Sequence, residues 1–173
     1  MTVIREGALS FRFAPDVRAS RYDEWAFYRN RFQNQCARDN KAIDLLCCGR
    51  QTTWLVEVKD YRQHARTKPV ALADELAQKV RDTLAGLAAG QWQAHVADEK
   101  NLARKALRAR HVRVVCHLEQ PAKATRLRPR AIEPDKLKDQ LRRLLKAVDP
   151  HPMIVDKATL APSMPWQVEF MST

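Results

Sequence analysis

Apolar and polar residues alternate early in the chain. Leu9, Phe11 and Phe13 are separated by Ser10 and Arg12, the period of a half-buried strand, and Pro15 closes it. Ser20 then reads as an N-cap with Asp23 three residues on. Trp25, Tyr28 and Phe32 line the face of the helix that should follow, reaching about Cys36. After a polar link at 37–41, apolar character returns in two runs, 43–48 and 52–61, with Gly49 and Arg50 between them. That is the signature of a hairpin. Leu72, Leu76, Val80, Leu84 and Leu87 form one helical stripe, so a helix is expected from Ala71 to about Leu87, loosened at its end by Gly86 and Gly90. A second, polar helix is expected over 91–107.

Val112, Val114, Cys116 and Leu118 then give one face of a strand, with Arg113, Val115 and His117 on the other. Glu133-Pro134-Asp135 opens a further helix, with Leu137, Leu141, Leu144 and Leu145 inward. Residues 153–155 and 166–170 are short strand candidates that would extend the sheet edge. The alternation predicts an α/β protein with a mixed central β-sheet flanked by helices. A single domain is expected over 1–173, with a core at about 8–118 and the helix and strands of 133–173 as an extension.

Three charges stand inside the hairpin. Because side chains alternate across a strand, Leu55, Glu57, Lys59 and Tyr61 share a face, and Trp54, Val56 and Val58 take the other. Asp44 goes with Leu46 and Cys48. A two-residue loop would set Asp44 opposite Leu55, and a four-residue loop would set it opposite Glu57. Both put Asp44 on the face of Glu57 and Lys59, whereas an odd loop would not. Charges in such surroundings are costly unless paired or bound to metal. Two carboxylates suit Mg2+, which takes only one or two and keeps its remaining waters. Lys59 beside them would orient a nucleophile, stabilise developing negative charge, or act as a base if its pKa were lowered. The plain alternative is a solvated hairpin face with a Glu57–Lys59 pair.

Asp44, twelve residues, and then Glu57-Val58-Lys59 resembles the signature of the PD-(D/E)xK nuclease superfamily, with Ile43 where the nominal proline would stand. The resemblance covers roughly residues 20–118. It implies a restriction-endonuclease-like fold and a nuclease hydrolysing phosphodiester bonds, foremost in DNA. Mg2+ is the implied cofactor and Mn2+ its substitute, with Asp44 and Glu57 as metal ligands and Lys59 as their catalytic companion. It further implies that Glu24, in the first turn of the first helix, lies near the metal. Gln78, off the apolar stripe of its helix, matches a glutamine that points into the site, although Asp82 stands four residues on, where an aromatic or basic residue is usual. The superfamily also places a strand between its first helix and the aspartate strand. The link at 37–41 leaves no room for one, so the Leu9–Phe13 strand is expected to fill that slot. The resemblance leaves room for a homodimer or for a helicase or methyltransferase subunit as partner. A non-catalytic nucleic-acid- or partner-binding module on the same fold is the alternative from another function class.

Charge strengthens the nucleic-acid side of this reading. The 173 residues carry a net charge of +11, which favours polyanions. Nucleic acid comes first and an anionic membrane surface second. Arg62, Arg66 and Lys68 follow the Lys59 strand and are placed for phosphate contacts. His64 between them is either a proton shuttle or simply exposed. From Arg104 to Arg130 nine basic residues, Arg126, Arg128 and Arg130 among them, face only Glu119, a pattern suited to tracking a phosphate backbone. The four cysteines have no CxxC spacing and read as small buried hydrophobes of a cytoplasmic protein. No signal-peptide pattern opens the chain, and no stretch approaches the roughly eighteen apolar residues of a membrane span. There is no P-loop, dinucleotide fingerprint or Ser/His/Asp order.

Overall fold

The alternating segments build two sheets, and the helical stripes cover one of them. The computed structural model describes residues 1–64, 66–121 and 132–171. Strands β1 (Val3–Glu6), β2 (Leu9–Phe13) and β8 (Trp166–Phe170) form a three-stranded antiparallel sheet in the order β1-β2-β8. Strands β3 (Arg18–Arg21), β4 (Leu45–Cys48), β5 (Thr52–Asp60), β6 (His111–Glu119) and β7 (Met153–Val155) form a mixed five-stranded sheet in chain order. Within it β3, β4 and β5 are antiparallel, and β5, β6 and β7 are parallel. The parallel β5–β6 step needs a crossover, supplied by α1 (Leu72–Gln93) and α2 (Ala97–Leu107). Helix α3 (Pro134–Leu144) leads to β7.

Period-two alternation on β4, β5 and β6 sorts the core into two layers. Leu46, Cys48, Leu55, Val114, Cys116 and Leu118 pack against the helices. Leu45, Cys47, Val56 and Val115 pack against Leu9, Phe11, Phe13, Trp166 and Val168 of the smaller sheet. The central sheet is thus flanked by helices on one face only, and a second sheet closes the other. Adjacent Cys47 and Cys48 enter opposite layers, as their parity requires. The C-terminal strands are woven into both sheets, β7 against β6 and β8 against β2. None of the described helices is long and apolar enough to cross a membrane.

Several local expectations are corrected. Ser20 is not an N-cap but lies in β3, where its Oγ accepts a hydrogen bond from Trp25 Nε1 at 2.8 Å. The strand beside the aspartate strand is β3, which precedes the helical turns, and not Leu9–Phe13, which belongs to the other sheet. The expected first helix is reduced to a 3-10 turn (Tyr22–Glu24) and a short helical stretch ending in a π-turn (Tyr28–Phe32). Glu99 of α2 caps that stretch, accepting from the amides of Ala26 at 2.7 Å and Phe27 at 3.0 Å. Helix α1 runs through both glycines to Gln93. Gly86 is there for close approach, because a Cβ at that position would sit 2.1 Å from the Tyr22 hydroxyl. Leu144 is half exposed, while Leu137, Leu141 and Leu145 are buried. Strand β1 pairs through Ile4 and Phe11; only Ile4 of its apolar residues packs against the core, so its sequence carried no alternation to find.

Candidate functional site

The hairpin loop settles the parity of the three charges. Cys48 pairs with Thr53 and Leu45 with Val56, so four residues form the turn, and extending the register by one step sets Asp44 opposite Glu57. Asp44 is pinned by two bonds. Its carbonyl accepts from Tyr22 N at 2.9 Å, and its Oδ2 accepts from Val58 N at 2.7 Å. Helix α1 also holds the approach to it, with Asp82 Oδ2 accepting from Lys41 N at 2.9 Å and Thr83 Oγ1 from Ile43 N at 3.1 Å. Asp82 therefore anchors the chain just before Asp44.

Glu57 is almost wholly buried. Its Oε1 accepts from Lys59 Nζ at 2.6 Å and from Lys79 Nζ at 2.5 Å. Its Oε2 is buried with no hydrogen-bond partner. Burial first, then the nearby Asp44 charge, push its pKa up to about 7 against the pull of Lys79 and Lys59. Lys79 also reaches Asp44 Oδ1 at 3.5 Å, so its ammonium spans the two carboxylates. Burial is the largest influence on Lys59 and Lys79 and works against their charge. Glu57 with Glu75 and Asp44 for Lys59, and Glu57 with Asp44 for Lys79, together outweigh it, and both pKa values lie above the ordinary range. Lys59 thus remains an ammonium, which favours charge stabilisation over a role as base.

A second acidic centre gathers the neighbouring cations. Glu75 accepts from Lys59 at 3.3 Å, Lys68 at 2.9 Å and Arg66 at 2.8 Å. Burial opposes its ionisation, yet the Lys68 and Arg66 hydrogen bonds and the Lys59 charge bring its pKa down to about 2. Arg62 binds Asp60 through Nε at 2.9 Å and Nη2 at 2.7 Å. Arg62 and Arg66, expected to meet phosphate, are therefore held by Asp60 and Glu75, and Lys68 reaches Glu75 with its side chain 62% exposed. His64 is exposed. Arg126, Arg128 and Arg130 lie outside the described residues.

Two further expectations shift by one residue. Gln78 is half-buried and its side chain makes no hydrogen bond to the described residues; its neighbour Lys79 reaches the site. Glu24 is exposed, pairs with Arg21 at 3.1 Å, and lines a cleft of about 860 Å3 between β1 and β3. The carboxylates near Asp44 are instead Asp23 and Glu6. Burial raises both pKa values, and the Asp44 charge is the next cause in each. Asp23 Oδ1 is buried without a partner. Lys79 had a signal in the sequence, since Glu75, Lys79 and Asp82 recur at i, i+4 and i+7 beside the apolar stripe.

Among the described residues no three His, Cys, Asp or Glu side chains gather closely enough to hold a metal by themselves. Mg2+ does not need three, because water and phosphate complete its octahedron. The unpartnered Glu57 Oε2, the Asp44 Oδ1 held only by a long contact, and a carboxylate whose ionisation is opposed by its surroundings together fit a divalent cation.

The chain is similar to part of a cysteine–tRNA ligase of Neisseria meningitidis (serogroup A / serotype 4A, strain DSM 15465 / Z2491). The two are 31% identical over 159 residues, covering 75% of this chain and 23% of the ligase. The chain thus spans less than a quarter of that relative's length. No family model and no solved structure matches it.

Proposed function

We propose that the chain is a Mg2+-dependent nuclease of the PD-(D/E)xK type, hydrolysing phosphodiester bonds in DNA, with the restriction-endonuclease-like arrangement that this implies. The observation that carries the reading is the convergence of Asp44, Glu57 and Lys59 on one face of the β4–β5 hairpin, with Glu57 Oε2 buried and unpartnered. A bound divalent ion would supply Lewis-acid polarisation of the phosphate and activation of water. Asp44 Oδ1 and Glu57 Oε2 would hold it, with Lys79 withdrawn from between them. Lys59, kept as an ammonium by Glu57 and Glu75, would stabilise negative charge growing on the phosphate oxygens. Three free buried cysteines and an exposed free Cys36 accord with a reducing cytoplasm.

The test is cleavage of linear, nicked, branched and single-stranded DNA with Mg2+ or Mn2+, stopped by chelation. Asp44→Ala and Glu57→Ala should abolish cleavage and leave binding intact, whereas Lys59→Ala should keep metal affinity and lose rate. Binding without cleavage across that panel would favour a non-catalytic nucleic-acid-binding module. The likeness to a segment of a cysteine–tRNA ligase supports RNA as a second reading of the partner, so tRNA belongs in the same panel.

A further inference from the structure

A cluster of cations without a carboxylate partner among the described residues lies at the other end of β5. Residues 49–51 turn tightly, with Gly49 N donating to Thr52 O at 2.9 Å. Gly49 fits because a Cβ there would press within 3.0 Å of the Trp54 ring. The turn brings Arg50 against the last turns of α2, which Thr53 ties down by donating from Oγ1 to Ala106 O at 2.9 Å. Asn101, Arg104, Lys105 and Arg108 recur at i, i+3, i+4 and i+7, the face opposite the buried Leu102, Ala103 and Ala106. With Arg50 they line a hollow of about 400 Å3. Arg50, Arg104 and Arg108 are exposed and Lys105 is half-buried. None has a carboxylate partner among the described residues.

The carbonyl end of α2 favours a cation or two, but it accounts for neither Arg50, delivered by another element, nor the absence of any acid. Arg104 and Arg108, like charges at i and i+4, repel each other and weaken the helix slightly. We infer that this hollow is a phosphate-binding site for the backbone of duplex DNA, separate from the carboxylate site. From Thr52 to Glu57 the strand rises about 17 Å, so the hollow cannot touch a phosphate held at Glu57. On a duplex lying along β5 that separation is about five base pairs, at about 3.4 Å per pair.

The inference rests on the nucleic-acid part of the proposed function and not on cleavage, so the experiment is done in chelator, where binding is read alone. Fluorescence anisotropy of the full chain on a short labelled duplex of mixed sequence gives the slope of log affinity against log salt. Replacing Arg104, Lys105 and Arg108 together by Gln should reduce that slope by about 2.7, at about 0.9 per lost contact. Arg50→Gln, on a different element, should reduce it by about 0.9 and reports even if the triple variant folds poorly. Arg12→Gln, on the smaller sheet and already paired with Glu169, should leave it unchanged. Unchanged slopes for both Arg50→Gln and a folded triple variant would overturn the site. A slope that moves on tRNA but not on the duplex would overturn the duplex assignment. Absence of Asp44- and Glu57-dependent cleavage would sink the nuclease reading and leave these slopes as they are.

Discussion

The two ends of β5 handle charge in opposite ways. Around Glu57 every described cation is spoken for: Lys59, Lys79, Arg66 and Lys68 divide between Glu57, Asp44 and Glu75. Around Arg50 the cations have no carboxylate partner among the described residues. Lys59, Lys79 and Arg66 of the first group are largely buried, so pairing is a condition of their existence, while Lys68 reaches Glu75 from the surface. The second sits in water, where an unpaired guanidinium costs almost nothing and stays available to an outside anion. Sequence proximity to the Glu57–Lys59 motif is thus a poor guide to phosphate contacts, since burial beside Glu75 and Asp60 consumes the basic residues nearest the motif.

Breaking a buried pair should have the largest effect. Lys79→Met leaves Asp44 and Glu57 facing each other with Lys59 as their remaining cation. The metal-free protein should lose about 3 kcal/mol at pH 8 in denaturant unfolding, with Mg2+ restoring much of it. A neutral outcome would show that Lys79 does not hold the carboxylates together.

Of similar size is the pH response. Glu57 has a pKa of about 7 in the folded chain against an ordinary 4.5, so its contribution to stability is fully present below about 4.5 and is lost as pH rises through about 7. Glu6 and Asp23 are raised in the same sense. Glu75, held low, gives stability that is already complete above about 4.5 and is lost only on further acidification. The metal-free protein should therefore become less stable between pH 5 and pH 8, by about 2.5 kcal/mol from Glu57 alone. Mg2+ should raise Tm more at pH 8 than at pH 5.5, because binding requires the carboxylate form. A metal-free Tm that climbs over that interval would contradict the assignment.

A smaller effect separates the two ends by position. Gly86→Ala pushes a methyl group into the Tyr22 hydroxyl and shifts α1, which delivers Lys79 and Glu75. It should cost about 1–3 kcal/mol and impair Mg2+ binding by calorimetry, with the salt slope of DNA binding unchanged. Smallest of all, Arg104→Gln should change stability by no more than about 0.5 kcal/mol. A loss of 2 kcal/mol or more would place that side chain among the structural charges.

How much of this was legible follows from which interactions are local. Strand parity fixed the shared face of Glu57 and Lys59 and the division of Cys47 from Cys48, because alternation is a property of the backbone. It also confined Asp44 to that face for any even loop. The apolar stripe of α1 and the alternation of β6 gave their elements for the same reason. Other features depended on partners distant in the chain. Gly86 reads as a helix breaker until Tyr22 lies across it, and Ser20 reads as a cap until β3 pairs with β4. The spacing of Glu75, Lys79 and Asp82 sets them on one helix face, but only the fold brings that face to Asp44, thirty-five residues from Lys79. Arg62, Arg66 and Lys68 look free until Asp60 and Glu75 are seen to hold them. The sequence by itself determined which residues could share a face. Only the tertiary structure decided which charges are neutralised and which stay open, because burial and long-range pairing set the energy of a charge, and neither is written locally in the chain.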